Sequence, residues 1–149
     1  VTEFTKLRNR IDGQTSSVLQ EIVTALLADG DSYDEAVRAA AALYRDKAYH
    51  LLGALEAEAP GQFAFVRPQG GYFLWGHLRD AALDPDRLFD LAQEEGVSYQ
   101  RGEWFAAGGP DTWRGHLRLT FSTPTVDELT EGARRLGRAV GRLARTPGR

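Results

Sequence analysis

The 149-residue sequence is 42% hydrophobic and 10% aromatic, which suits one ordinary core and excludes a disordered tail. Its formal net charge of −3 gives no general electrostatic reason to bind nucleic acid or an anionic membrane. With no cysteine it can form no disulfide, thiolate zinc site or cysteine nucleophile, a composition compatible with a reducing cytoplasm.

The opening VTEFTKLRNR lacks the apolar centre of a signal peptide, and no apolar run approaches the roughly 18 residues of a membrane span. In TSSVLQEIVTALLADG a hydroxyl residue among Thr15 to Ser17 can cap a helix that Gly30 stops, with Val18, Ile22, Ala25 and Leu26 as its apolar stripe. Ser32 and Glu35 have capping-box spacing and open a long helix to about Ala59, ahead of Pro60 and Gly61. Along it Val37, Ala40, Ala41, Tyr44, Ala48, Leu51, Leu52 and Leu55 recur at helical spacing, and its length suits a connection between two packed bodies.

After Pro60 the period changes. FAFV and GGYFLWGHL read as strands joined by RPQGG, and Asp84 followed by Pro85 starts a helix that Gly96 stops. VSYQ reads as a short strand, GEWFAAGGPDTWRG as a long loop and HLRLTFS as a strand; Thr125 and Glu128 then box the start of a terminal helix. The order strand, strand, helix, strand, strand, helix predicts an α+β layer, with helices packed on one face of a small sheet.

Within HLRLTFS, Leu117, Leu119 and Phe121 fall on one face and His116, Arg118, Thr120 and Ser122 on the other. The second face either meets water or lines a site in which Arg118 grips an anion through paired hydrogen bonds. His50, His77 and His116 lack the spacing of a metal pair, and no metal site is expected. The glycine-rich loop lacks the lysine and hydroxyl residue of a phosphate-binding loop. Arg134, Arg135, Arg138, Arg142 and Arg145 make the last helix basic, but Asp127, Glu128 and Glu131 occupy its opposite end, an arrangement that suits the helix dipole without nucleic acid.

Four segments, TSSVLQEIVTALLADG, RPQGGYFLWGHL, GVSYQRGEWF and HLRLTFSTPTVDELTEGARRLGRAV, together span nearly the whole chain. In this order they resemble the C-terminal third of fold-type I pyridoxal-phosphate-dependent aminotransferases, the aspartate-aminotransferase-like class with the aminoadipate and kynurenine enzymes. The resemblance implies that residues 1–30 are the tail of the cofactor-binding large domain, 31–59 the connecting helix and 60–149 the small domain. It implies that Arg118 binds the substrate α-carboxylate, that Phe73 borders the substrate pocket, and that Gln14 to Ser17 approach the partner subunit's active site in a homodimer. A core phenylalanine is the other reading of Phe73. Arg101 stands where the family typically has a proline.

The same resemblance places the Schiff-base lysine upstream, so no catalytic residue is expected in this chain. Lys6 and Lys47, the two lysines beside sixteen arginines, are not at the matching place. The sequence begins with valine and contains no methionine, so a piece of a longer protein is expected, inactive by itself. The implied parent is a cytoplasmic enzyme moving an amino group between an amino acid and a 2-oxo acid. The rival readings are a cofactor-sensing regulator, a stand-alone binding module, and decarboxylation, elimination or acyl condensation on the same scaffold.

Overall fold

A computed structural model describes residues 2–11, 15–28, 30–109 and 111–145. The chain divides into two units, residues 1–40 and 41–149. The first holds α1 (Thr2–Ile11), α2 (Ser17–Ala28) and the start of α3 (Gly30–Glu58). Sequence reading misses α1, although Phe4, Leu7 and Ile11 have helical spacing; all three are exposed. Gly30, expected to stop the second helix, instead opens α3, which places Ser32 inside its first turn. No residue of α2 is buried, and Val18, Leu19, Ile22, Val23, Leu26 and Leu27 each remain more than half exposed.

The second unit contains the core. Strands β1 (Phe63–Phe65), β2 (Phe73–Leu78), β3 (Gln100–Arg101) and β4 (His116–Thr120) form an antiparallel sheet in the order β1-β2-β4-β3. Leu74, Leu78, Leu117, Leu119 and the adjoining Phe121 are buried in one cluster with Leu51 and Leu55 of α3. Helix α4 (Pro85–Glu94) adds Leu88, Leu91 and Ala92, and α5 (Val126–Arg145) adds Leu129, Ala133, Leu136, Val140 and Leu143. The period-two alternation of HLRLTFS is therefore real. VSYQ contributes only Gln100 to a ladder, because β3 is two residues long.

Both ends of α4 and the start of α5 follow the expected chemistry. The Asp84 carboxylate accepts from the Asp86 amide at 3.0 Å, with Pro85 in the first turn. Gly96, at φ +75°, takes the left-handed conformation that a side chain would oppose. At α5 the Thr125 amide donates to Glu128 Oε2 at 2.7 Å, and the Glu128 amide donates back to Thr125 Oγ1 at 3.2 Å.

Four of the five arginines of α5 are paired within the chain. Arg138 meets Glu95 at 2.7 Å, Arg142 meets Glu94 at 2.7 Å, and Arg134 and Arg135 share Glu131. Each exposed pair contributes little stability, but together they leave α5 a poor polyanion surface. No helix among the described residues is long and apolar enough to cross a membrane.

Candidate functional site

Alternation that buries Leu117 and Leu119 puts Arg118 on the opposite face of the sheet, where β2 contributes Phe73, Trp75 and His77. Register sets the neighbours: Trp75 and Gln100 flank Arg118 from β2 and β3, and Phe73 pairs with Thr120. The Arg118 guanidinium carbon lies over two aromatic rings, 4.0 Å from the Phe73 centroid and 4.3 Å from that of Phe105. In its plane, Arg118 Nη2 donates to Gln100 Oε1. Arg118 Nε and His116 Nδ1 are buried and have no hydrogen-bond partner among the described residues.

Phe73 is 42% exposed, which removes the core-phenylalanine alternative. The face continues into an aromatic array in which Trp75 packs edge-on to Phe105 and Trp113, and His116 lies beside Trp75, Trp113 and His77. The histidines look scattered in the sequence, yet β2–β4 register brings the His77 and His116 rings to 5.1 Å. His50 is elsewhere, 2.8 Å from Thr130 Oγ1.

The long loop delivers Phe105 and Trp113. It starts as a single 3-10 turn, Gly102–Phe105, pressed against β4 so closely that a Cβ on Gly102 would come within 2.5 Å of His116 Cβ and Trp113 O. Only glycine permits that approach. Arg101, at the family's proline position, has φ −75° and ψ 142°, a backbone conformation open to proline as well. What it adds is charge. Arg101 Nη2 donates to Asp86 Oδ1 and, at 2.8 Å, to Glu103 Oε1, while Arg114 at the far end of the loop donates to Asp86 Oδ2 at 2.9 Å. One carboxylate at the start of α4 thus clips both ends of the loop.

Hydrogen bonds first from Arg101 and then from Arg114 hold the Asp86 carboxyl below its ordinary value of 3.8. At Glu103 burial works upward, but the Arg101 and backbone hydrogen bonds outweigh it and the net direction is down. Because the folded pKa of Asp86 is depressed, its stabilisation is complete above 3.8 and is lost as pH falls through the lower folded value. Release of the loop that carries Trp104 and Trp113, measured by hydrogen exchange of its backbone amides, is expected only below pH 3.8. Asp86→Asn should show the faster exchange already at neutral pH; unchanged exchange would mean that the clip does not hold the loop.

Both lysine amines have partners. Lys6 pairs with Glu3 at 2.9 Å, and Lys47 donates to the Ser122 and Pro124 carbonyls at 3.0 and 2.7 Å, tying α3 to the chain after β4. Gln14 lies outside the described residues; Thr15 accepts from Arg8 at 2.6 Å, and Ser17 begins α2. A separate groove of about 720 Å³, lined by Leu51, Leu119, Thr123, Glu131 and Arg135, does not include Arg118, Phe73 or Gln100. Its Arg135 is already engaged by Glu131 and the Gly96 carbonyl.

A family model for aminotransferase class I and II matches residues 4–136. The chain belongs to this aminotransferase family. It is 37% identical over 130 residues to the 2-aminoadipate transaminase of Thermus thermophilus, covering 87% of this chain and 31% of that protein. The α-aminoadipate aminotransferase of the same organism, solved with N-(5'-phosphopyridoxyl)-L-leucine, superposes with a TM-score of 0.76 at 36% identity, over 93% of this chain and 34% of the other. A multiple substrate aminotransferase from Thermococcus profundus gives 0.82 at 26% identity, over 93% and 33%. The aminotransferase chain thus spans about a third of the length of these relatives, and it corresponds to a C-terminal portion of the fold-type I architecture.

Pyridoxal 5'-phosphate is the family's cofactor. Of the two lysines, Lys6 is ion-paired to Glu3 and Lys47 is hydrogen-bonded to backbone carbonyls. What this aminotransferase chain presents is an oriented guanidinium on an aromatic floor. Sequence reasoning names Arg118 and Phe73, which the structure places side by side, and does not name their neighbours Gln100, Phe105 and Trp75. Strand alternation could have placed Trp75 beside Phe73, but no periodicity marks Phe105.

Proposed function

We propose that the protein carrying this chain transfers an amino group between an amino acid and a 2-oxo acid, and that Arg118 binds the α-carboxylate common to both. The observation that carries this reading is the guanidinium packed on the Phe73 and Phe105 rings, charged and half-buried on a largely aromatic face. A carboxylate meeting it gains charge-assisted hydrogen bonds in a partly desolvated place, and two parallel bonds fix its orientation as well as its position. Orientation is what the chemistry needs, because one bond at the substrate Cα must stand across the cofactor ring. Pyridoxal phosphate, when bound, supplies the electron-withdrawing ring.

In this reading residues 1–30 end the large domain, 31–59 connect, and 60–149 form the small domain with the carboxylate clamp. Phe73 and Phe105 wall the clamp and shield the guanidinium from water. The cofactor is held by the part of the protein upstream, the enzyme is a cytoplasmic homodimer, and Gln14 to Ser17 face the partner subunit.

The longer protein, given pyridoxal phosphate, should move an amino group from an amino acid to a 2-oxo acid in a coupled assay. Residues 1–149 alone should not, and borohydride treatment with pyridoxal phosphate should leave no stoichiometric adduct at one site. A single adduct at Lys6 or Lys47 that supports amino transfer would overturn the division of labour proposed.

A further inference from the structure

We infer that Gln100 is a positioning residue that aims Arg118, leaving one edge of the guanidinium, that of its two terminal nitrogens, to take a substrate carboxylate. A guanidinium carries five N–H donors, all in its plane. The group packs on the Phe73 and Phe105 rings, and a carboxylate can reach its donors only along an edge of that plane. The edge that includes Nε is closed, because Nε is buried with no partner and no solvent access. That leaves the edge formed by Nη1 and Nη2. Gln100 Oε1 accepts one N–H of Nη2 from the neighbouring strand, where β3–β4 register sets it directly opposite Arg118. The contact fixes the rotation of the group while leaving the other Nη2 hydrogen and both Nη1 hydrogens for a ligand.

The chemistry of the acceptor matters as much as its place. A glutamine amide oxygen is neutral, so it orients Arg118 and leaves the full positive charge for the incoming anion. A glutamate of the same length would form a charge-assisted pair and compete with the substrate for the fork. The neutral acceptor therefore keeps the clamp open and aimed. Gln100 also has little else to do: it is exposed, on a two-residue edge strand, and outside the core.

This inference rests on the reading of Arg118 as carboxylate anchor, and the variants separate the two. In the cofactor-loaded longer protein, Gln100→Leu should raise KM about 3- to 10-fold for amino acid and 2-oxo acid alike, the loss of one orienting hydrogen bond. Turnover should stay within about twofold, because the reacting groups are untouched. Gln100→Glu, nearly isosteric, should raise both KM values more, about 10- to 100-fold, because it fills the fork with a tethered carboxylate. Affinity for 3-phenylpropanoate, a carboxylate with no amine to react, should fall in the same order by calorimetry, with cofactor affinity unchanged. If Gln100→Glu left KM and 3-phenylpropanoate affinity within twofold of wild type while Arg118→Ala was impaired, the positioning role would be overturned and the anchor would stand. If Arg118→Ala was itself unimpaired, both would fall. Should Gln100→Leu not fold, the Gln100→Glu comparison carries the test alone.

Discussion

Arg118→Ala in the longer protein is expected to lower kcat/KM for amino-acid substrates by about 30-fold to several thousand-fold, corresponding to about 2–5 kcal/mol for removing a charged hydrogen-bond donor from a partly desolvated site. KM should rise strongly and kcat should fall as well, because a substrate without its carboxylate anchor samples orientations in which the Cα bond does not stand across the ring. Cofactor affinity should barely change, since Arg118 packs on Phe73 and Phe105 and bonds to Gln100. Arg118→Lys should recover only part of the loss. An ammonium restores the charge but not the planar fork, and it stacks less well on aromatic rings. Arg142→Ala is the control. That arginine is ion-paired to Glu94 and Glu95 on the outside of α5, so its removal should leave kinetics like wild type. Steady-state kinetics within twofold of wild type for Arg118→Ala would make the residue an ordinary solvated arginine.

The parts of this architecture that are legible in the sequence are those determined by local chemistry. Alternation in HLRLTFS depends only on strand geometry, and it correctly separates Leu117, Leu119 and Phe121 from Arg118. The Thr125–Glu128 box and the Asp84–Pro85 start depend on unsatisfied amides within one turn, and both hold in the structure. Gly30 misleads because glycine signals a helix end by what its backbone can do, and here its φ is ordinary and the helix runs on from it.

The site is less legible because it is made by register and by a loop. Gln100 and Arg118 are 18 residues apart, and only the β3–β4 pairing makes them neighbours. Phe105 reaches Arg118 because Gly102 lets the turn sit against His116, and because Asp86 holds Arg101 and Arg114 together. None of these contacts has a period in the sequence. The arginine at residue 101 draws attention to the right place, but its ion pairs to Asp86 and Glu103 are visible only in the structure.

Two phenylalanines on opposite sides of the sheet should respond in opposite ways to truncation. Phe121, 1% exposed, fills the core at the end of β4, and its amide donates to the Tyr72 carbonyl at 3.1 Å. Phe121→Ala should cost about 3–5 kcal/mol, the forfeited transfer energy plus the cavity left behind. That is a large fraction of the roughly 5–15 kcal/mol that stabilises a typical domain. Urea unfolding followed by far-ultraviolet circular dichroism should therefore show a markedly lower midpoint with little change in slope. Phe73 has no cavity to leave, because it is 42% exposed and spends one ring face on Arg118. Phe73→Ala should shift the midpoint little, by about 1 kcal/mol or less, the range of one exposed cation–π contact. Its effect should appear in KM instead, about 2- to 5-fold upward for amino acid and 2-oxo acid together, because the guanidinium loses one wall and admits water to that face. A Phe73→Ala protein as unstable as Phe121→Ala would return Phe73 to the core, and with it the premise that this side of the sheet is kept aromatic for a ligand rather than for folding.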